Sequence, residues 1–364
     1  MPTAIVSGAL ASKPFNGGNA WTRLSFVLGL RRLGYDVLFV EQIDRPTQAA
    51  REFFEACCRS FAVDAVLLTS GSVPAELQER ADDATLLLNI GGQLTRGSVK
   101  RAPRVKVFLD DDPGYTQFWH AAGLLGDRLA GHDFAFTYGQ NIGRPGCAIP
   151  LAGIDWRATR PPVVLSEWPA APLGERGRLT TVASWRGGYG RLEANGQLYG
   201  QKAHEFRKLA ELPERVPQRC EIALAIDPAD EGDAELLRLH AWELVDPREV
   251  AGEACAYRRY IQGSGGELSA AQGIYVETDS GWFSDRTVCY LASGKPALVQ
   301  ETGFGRSLPV GEGLLSFRTL DEAVDGALRI DSDYEGHAQA ARAVAERYFD
   351  SDIVLGRLLE EVGL

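Results

Sequence analysis

The sequence predicts an α/β protein built of two doubly wound, Rossmann-like domains that face a central cleft. Its length of 364 residues is enough for two domains of roughly 150–200 residues each. Short apolar segments alternate with helical stretches in both halves of the chain, and a proline-rich stretch lies between them. Strands that alternate with helices in this way build parallel sheets with helices on both faces.

Composition and charge narrow the possible partners. Hydrophobic residues make up 45% and charged residues 24% of the chain, as in ordinary globular proteins. A net charge of −11 and a pI near 5.1 argue against a broad surface for nucleic acid or anionic membrane. No apolar run approaches the ~20 residues of a membrane span, and the first residues do not resemble a signal peptide. We therefore expect a cytoplasmic protein without a nucleic-acid partner or a membrane span.

Cysteine and histidine give no sign of a metal centre. The six cysteines and five histidines are scattered, with no Cys-x-x-Cys pair and no cluster at zinc spacing. We expect free thiols in the core and no structural metal.

The first half begins with a strand, a loop, a helix and a second strand. Residues 4–8 are an apolar segment, a loop rich in glycine and asparagine follows, and Gly34 ends a helix before the apolar residues 37–40. This is the pattern of a βαβ unit. We predict further strands at residues 65–68, 85–88, 105–109 and 134–136.

The second half repeats this organisation. Strands are predicted at residues 179–183, 220–225, 273–276 and 297–299, and helices at residues 202–212, 234–242, 285–292, 334–348 and 350–361. Prolines crowd the stretch between the halves. We therefore expect an N-terminal domain (1–160), a linker (161–178), a C-terminal domain (179–345) and a last helix (346–364) that packs back on the first domain. Ligands of open parallel sheets bind outside the carboxyl ends of the strands, which places an active site in the cleft between the domains.

Residues 277–300 carry the clearest chemical signal. The expected strand at 273–276 leads into a serine- and glycine-rich loop, a helix, a glycine turn and another strand. Free backbone N–H groups and the dipole at a helix N-terminus favour an anion. We predict a pyrophosphate site here, with hydroxyls from Ser280 and Ser284 and a positive charge from Arg286. Reversing the charge of Arg286 is then expected to weaken nucleoside diphosphate binding and to leave the fold intact.

This stretch resembles the nucleotide-sugar region of glycosyltransferases with the GT-B fold, of an actinobacterial type. There, a loop of small residues precedes a helix with the pattern Glu-x-x-x-x-Gly-x-Pro, and Gly294 and Pro296 match its last two places. Cys289 stands where those enzymes have a glutamate that holds the ribose, and Asp285 is the candidate substitute. Taken alone, the glycine and proline also fit a simple helix stop. The resemblance implies donor contacts from Ser280, Gly281, Trp282, Phe283, Ser284, Asp285, Arg286 and Cys289.

A second donor-binding segment follows the first strand of the C-terminal half. It resembles the glycine-containing loop of GT-B enzymes whose basic residues reach the donor diphosphate from the opposite side. Ser184 and Gly187 belong to this loop, and Arg186 and Lys202 are the candidate cations. Fixed cations stabilise the growing charge of a diphosphate leaving group, so no metal is required. The alternative for Arg186 is an ion pair with a surface carboxylate.

Three consecutive acids follow the strand at 105–109. Side chains alternate along a strand, so Asp110 and Asp112 are expected to share a face while Asp111 points away. We favour Asp112 as the general base toward an acceptor hydroxyl, with Asp110 and His120 as competitors. Two alternatives are a solvated turn and the metal-binding Asp-x-Asp motif of GT-A transferases, which are built around one nucleotide-binding domain.

The loop after the first strand is expected to face the acceptor, as the corresponding loop does in GT-B enzymes. It lacks the Gly-x-Gly-x-x-Gly spacing of a dinucleotide site, and the chain has no Gly-x-Ser-x-Gly motif of a serine hydrolase. The acceptor-side candidates are Asn16, Gly17, Gly18 and Asn19.

Together these features predict transfer of a sugar from a nucleoside diphosphate donor to a hydroxyl-bearing small molecule or glycan. The sugar nucleotide is a co-substrate, and no cofactor or obligatory metal is expected. Two alternatives stay open. One is a nucleotide-sugar epimerase on the same fold, which needs several carboxylates and histidines around the sugar. The other is a nucleotide-sugar-binding protein without turnover, which the cysteine at position 289 suggests.

Overall fold

The structure is a computed structural model that describes residues 1–171, 177–194 and 196–364. Part of the expected linker, residues 172–176, lies outside the described residues, as does Asn195. No helix within the described ranges is both long enough and apolar enough to cross a membrane.

The first half forms a parallel sheet in the order β3-β2-β1-β4-β5-β6-β7. Ile5 lies in an inner strand of this sheet and is fully buried, paired to Leu38 on one side and Leu87 on the other. The strands are β1 (Thr3–Ser7), β2 (Asp36–Gln42), β3 (Asp64–Leu68), β4 (Leu86–Ile90), β5 (Val105–Asp110), β6 (Phe134–Thr137) and β7 (Trp156–Ala158). The helices are α1 (Gly17–Arg32), α2 (Gln48–Ser60), α3 (Ala75–Asp82), α4 (Gly97–Arg101) and α5 (Tyr115–Ala121).

The second half forms another parallel sheet, in the order β12-β11-β8-β13-β14-β15, and an antiparallel hairpin of β9 and β10. The strands are β8 (Arg178–Ser184), β9 (Leu192–Ala194), β10 (Gln197–Tyr199), β11 (Arg219–Ala225), β12 (Glu243–Val245), β13 (Gly266–Ser269), β14 (Ala297–Gln300) and β15 (Leu314–Phe317). The helices are α6 (Lys202–Arg207), α7 (Glu231–Leu239), α8 (Pro247–Ala251), α9 (Ala254–Gln262), α10 (Gly273–Glu277), α11 (Asp285–Ala292), α12 (Leu320–Ser332), α13 (Tyr334–Tyr348) and α14 (Ser351–Glu361). The prediction of two doubly wound sheets is confirmed.

One predicted strand is wrong. Residues 273–276 form the helix α10 instead, because Ile274 and Tyr275 pack into a buried cluster and the Thr278 amide donates to the Ile274 carbonyl oxygen. The strand that fills this place in the sheet is β13, which pairs with β8 and β14. The sequence does not indicate a strand at β13, because a buried acid, Glu267, stands where an apolar residue would be expected.

The helix expected at 202–212 is shorter than predicted. α6 ends at Arg207, and a 3-10 turn at Leu212–Glu214 follows. Pro213 lies in that turn, and proline disfavours helical geometry in the residue before it.

The end of the chain returns to the first half. α14 packs on α1 so closely that a Cβ at Gly29 would lie 2.6 Å from Leu355 Cδ1. Arg32 donates two hydrogen bonds to Asp352 across the same contact, at 2.9 and 2.8 Å. Just before α14, the fully buried Phe349 ring stacks on Phe283 of the second half at 5.0 Å.

We predict that Phe349→Ala lowers the free energy of unfolding by about 3–5 kcal/mol, the usual cost of deleting a buried aromatic ring. Urea unfolding measures this loss. Leu239→Ala is the control, because Leu239 is 76% exposed and its truncation is expected to cost less than about 0.5 kcal/mol. Equal, small losses for the two variants would contradict this packing.

Candidate active site

A cleft of about 1090 Å³ lies between the carboxyl ends of the two sheets. Loops after β1 and β5 line it from the first half, and loops after β8, β11 and β12 line it from the second. Parallel sheets place the carboxyl ends of all their strands at one edge, so two such edges create this cleft.

The structure brings many of the predicted site residues together and leaves others outside. Predicted residues that line the cleft are Asn16, Gly18, Asn19, Asp112, Ser184, Arg186, Gly187, Lys202, Trp282, Asp285 and Arg286. Those that do not line it are Gly17, Asp110, Ser280, Gly281, Phe283, Ser284 and Cys289, and the competitor His120 is also outside.

Arg286 is a cation fixed in the wall of the cleft. Its Nε donates to Glu267 Oε1 at 2.6 Å, its Nη1 donates to the Val182 carbonyl oxygen at 3.0 Å, and its Nη2 donates to Ser269 Oγ. The Arg286 side chain is 11% exposed and that of Glu267 is fully buried. Burial lowers the pKa of Arg286, but the Glu267 carboxylate, together with Tyr257 and Tyr290, raises it, and the net pKa lies above its ordinary value. The guanidinium therefore stays charged.

Lys202 is a second cation beside Arg286, at the start of α6. Burial and, to a smaller extent, the neighbouring charge of Arg286 lower the pKa of its amino group to about 7, although Glu267, Asp285 and Asp112 act in the opposite direction. Within the part of the chain that the structure describes, its amino group has no hydrogen-bond or ion-pair partner. It is therefore available to an anion in the cleft.

Arg186 lines the cleft but is already paired. Its guanidinium donates two hydrogen bonds to Asp230, at 2.6 and 2.7 Å, in an exposed ion pair. This is the arrangement that the alternative interpretation of Arg186 expected. Lys202, rather than Arg186, is the unpaired cation of this segment.

The serine-rich loop uses its polar groups internally. Ser280 Oγ donates to the Tyr275 carbonyl oxygen and accepts from the Trp282 amide, both at 3.1 Å. Ser284 Oγ caps α11 by accepting from the Arg286 amide at 3.2 Å. The expected strand before this loop is a helix, and both hydroxyls are already bonded. The expectation that they face an anion therefore does not match the structure.

The rest of this segment is divided between core and cleft. The Gly281 amide donates to the Thr302 carbonyl oxygen at 2.7 Å, and Phe283 lies in the core. Asp285 lines the cleft and accepts a hydrogen bond from Thr22 of α1. Cys289 is buried, and burial raises its pKa. Cys289 therefore does not line the cleft, whereas Asp285 does.

The three acids occupy three different environments. Asp110 is buried and accepts from Thr116, Gln117 and Thr137 at 2.6–2.7 Å, and burial raises its pKa to about 6. Asp111 pairs with Arg23 at 3.1 Å and lines the cleft together with Asp112. The expected face shared by Asp110 and Asp112 is therefore wrong. β5 ends at Asp110, and strand alternation does not continue into the turn that follows.

The loop after β1 is held rigidly. Asn16 Oδ1 caps α1 by accepting from the Asn19 amide at 2.9 Å, and Asn19 Nδ2 donates to the Ala9 carbonyl oxygen at 2.7 Å. A Cβ at Gly17 would lie 2.4 Å from the Glu253 carbonyl oxygen, so only glycine fits there. Buried Glu41 accepts backbone N–H groups from residues 10–12 and anchors the start of the loop.

Sequence reasoning missed several of these residues. Glu41 and Glu267 give no sign of their burial, because acids are mostly exposed. Lys13, which also lines the cleft, lies just before the glycine-rich loop and could have been found by its charge. No group of three or more His, Cys, Asp or Glu side chains among the described residues is placed to hold a metal ion, and this includes the Asp110–Asp112 segment.

Comparison with known proteins supports the fold. No family model and no curated protein matches the sequence. An α-glucosyltransferase solved with UDP and a 13-mer DNA containing an HMU base has a TM-score of 0.67 at 9% identity, covering 100% of this chain and 99% of that one. Anabaena Alr3699/HepE, solved with UDP and glucose, has a TM-score of 0.63 at 12% identity, covering 100% of both chains. A putative UDP-N-acetylglucosamine 2-epimerase from Listeria monocytogenes has a TM-score of 0.52 at 12% identity, covering 98% of this chain and 94% of that one. The chain therefore has the GT-B fold.

The buried ion pair of Arg286 with Glu267 changes the expected effect of reversing the charge at Arg286. We predict that Arg286→Glu lowers the free energy of unfolding by at least about 3–5 kcal/mol, because it leaves Glu267 buried beside a second acid. Urea unfolding measures this. Arg238→Glu is the matched control, because the Arg238–Glu231 pair is 54% and 55% exposed and such pairs contribute less than about 1 kcal/mol. A fully stable Arg286→Glu protein would restore the original expectation.

Proposed function

We propose that this protein transfers a sugar from a nucleoside diphosphate donor to a hydroxyl group of a small-molecule or glycan acceptor, without an obligatory metal. The observation that supports this proposal most strongly is the arrangement of charges in the cleft. Two cations, Lys202 and Arg286, lie on the wall formed by the second half, and a carboxylate, Asp112, lies on the wall formed by the first. Cations suit a diphosphate leaving group, and a carboxylate opposite suits a general base.

The two halves then have separate roles. Residues 179–345 hold the donor through Lys202, Arg286 and Asp285, while residues 1–160 present the acceptor to Asp112 beside the loop of residues 16–19. The solved structures with UDP on the same fold support a sugar nucleotide as donor. The net charge of −11 favours an acceptor other than nucleic acid. A cytoplasmic location stays a prediction. The actinobacterial origin stays a prediction from the resemblance.

The epimerase alternative is less well supported, although one protein named as a putative epimerase shares the fold. None of the five histidines, all within the described ranges, lines the cleft. An epimerase of the expected kind needs histidines around the sugar. A binding protein without turnover stays the second alternative, because Cys289 replaces the expected glutamate.

A screen of UDP-, dTDP-, GDP- and ADP-sugars by thermal shift, followed by an assay of donor hydrolysis, tests the proposal. A bound donor raises the apparent stability by mass action. Binding with turnover supports a transferase, and binding without turnover supports the non-catalytic alternative. A protein that binds none of the four donors would contradict both.

For the base, we predict that Asp112→Asn lowers kcat by about 10²–10⁴-fold and leaves donor affinity unchanged. Steady-state kinetics and calorimetry of UDP binding separate the two effects. Asp155→Asn is the control, because the Asp155 side chain is 89% exposed. Near-normal turnover in Asp112→Asn, with activity lost in Asp110→Asn or His120→Ala, would mean that the base is misassigned.

Donor affinity should depend on pH through Lys202. Its pKa of about 7 means that the amino group is charged below this pH and neutral above it. UDP-glucose has no phosphate group that titrates near neutral pH, so its affinity is expected to fall by about tenfold as the pH rises from about 6 to about 9.

Lys202→Met should bind UDP-glucose weakly, with an affinity that no longer changes with pH. Lys208→Met is the matched control from the same segment, because the Lys208 side chain is 62% exposed and pairs with Glu205. If Lys202→Met keeps the pH dependence of the parent protein, another group causes it.

The metal-independent mechanism predicts full turnover after treatment with EDTA. The assay is donor turnover before and after chelation, with magnesium or manganese added back. Loss of activity that either metal restores would favour metal binding by the Asp110–Asp112 segment instead.

A further inference from the structure

The hydroxyl of Tyr275 makes a hydrogen bond that joins the two halves of the protein. Tyr275 Oη donates to Asp112 Oδ1 at 2.8 Å. Asp112 follows β5 of the first sheet, whereas Tyr275 belongs to α10 of the second half. The proposed base is thus bonded to a side chain on the donor side of the cleft.

The ring of Tyr275 is held in place by other aromatic rings. It is 2% exposed, stacks on Trp282 with ring centroids 4.3 Å apart, and meets the Tyr115 ring edge-on at 6.5 Å. Trp282 itself lines the cleft. A tyrosine packed on two sides cannot move its hydroxyl far, so the hydroxyl fixes the carboxylate it contacts.

Several charged and titratable groups surround Asp112. Burial raises its pKa and so does the neighbouring Asp111, whereas the Tyr275 hydrogen bond, Lys13 and Arg23 lower it. Three further titratable groups face Asp112 from other elements. They are Tyr115 on α5, Tyr189 in the loop after β8, and Lys202 on α6. A hydrogen bond donated to a carboxylate favours its ionised form, which is the form that a general base requires.

We infer that Tyr275 is a positioning residue for the base, because its hydroxyl holds the Asp112 carboxylate ionised and directed into the cleft. The bond engages Oδ1 of Asp112, and under the proposed function the same carboxylate accepts the proton of an acceptor hydroxyl. The base is then complete only when α10 and the segment after β5 are in contact. The catalytic part of this inference rests on the proposed function, but the hold on Asp112 does not.

The direct test is titration of Asp112 by NMR in protein labelled with ¹³C at the aspartate carboxyl, with the signal assigned from Asp112→Asn. Tyr275→Phe removes the hydroxyl and keeps the ring. The titration midpoint of Asp112 is expected to rise by roughly one pH unit, because a carboxylate loses a hydrogen bond. Tyr115→Phe is the control from the same cluster, and it is expected to leave the midpoint in place.

Incorporation of 3-fluorotyrosine at position 275 gives a second variant that keeps the packing. A more acidic hydroxyl donates a stronger hydrogen bond, so the midpoint of Asp112 is expected to fall. Tyr275→Phe should also move the acid limb of the pH profile for UDP-glucose hydrolysis to higher pH, while the Kd for UDP stays unchanged.

A midpoint that does not move in either variant at position 275 overturns the inference, whatever the activity. The same is true if Tyr115→Phe moves it as far as Tyr275→Phe. Shifted midpoints in a protein that turns over no nucleotide sugar would support the hold of Tyr275 on Asp112 and overturn the proposed function instead.

Discussion

The ion pair of Arg286 with Glu267 is the interaction on which the second-half wall of the cleft depends. Arg286 lies in the first turn of α11, Glu267 in β13, and the same guanidinium also bonds the carbonyl oxygen of Val182 in β8. Two strands and a helix are therefore held at one point, directly under the cleft. Because Glu267 is fully buried, the pair cannot be broken without leaving an uncompensated charge in the core. The charge of Arg286 in turn lowers the pKa of Lys202, so the pair also influences the second cation.

Most of the fold could be predicted from the sequence, because it depends on patterns of apolar residues within single segments. α11 and α13 have the predicted bounds, since each has an apolar face at helical spacing and a side-chain cap at its start. Neither β13, where no strand was expected, nor α10, where a strand was expected instead of a helix, could be predicted. Burial of Glu267 requires its pairing with Arg286, and Tyr275 lies in a helix and packs its ring against Tyr115 of the first half. Both are contacts between residues distant in the chain.

The candidate site shows the same difference between features set within one segment and features set by contacts between segments. The cleft itself, and Lys202, Arg286 and Asp112 within it, could be found from residue type and from position after a strand. The partners of these side chains could not. Whether Ser284 faces a ligand or caps its own helix, and whether Arg186 is free or paired with Asp230, is decided by side-chain geometry alone. Tyr275 carries no signal in the sequence, since a tyrosine within an apolar segment looks like any other core residue.

A diphosphate in the cleft would change the protein that binds it. Lys202 is only partly charged near neutral pH, since burial and Arg286 both disfavour its cationic form. A diphosphate beside the amino group would favour that form and raise its pKa, so under the proposed function donor binding is accompanied by proton uptake. Negative charge grows further on the diphosphate as the bond to the sugar breaks, and the attraction to Lys202 grows with it. Under the proposed function, Lys202 and the permanently charged Arg286 would therefore stabilise the leaving group more strongly in the transition state than in the ground state, and such differential stabilisation accelerates a reaction. The net charge of −11 does not conflict with this proposal, because the two cations would act locally, in a partly buried site.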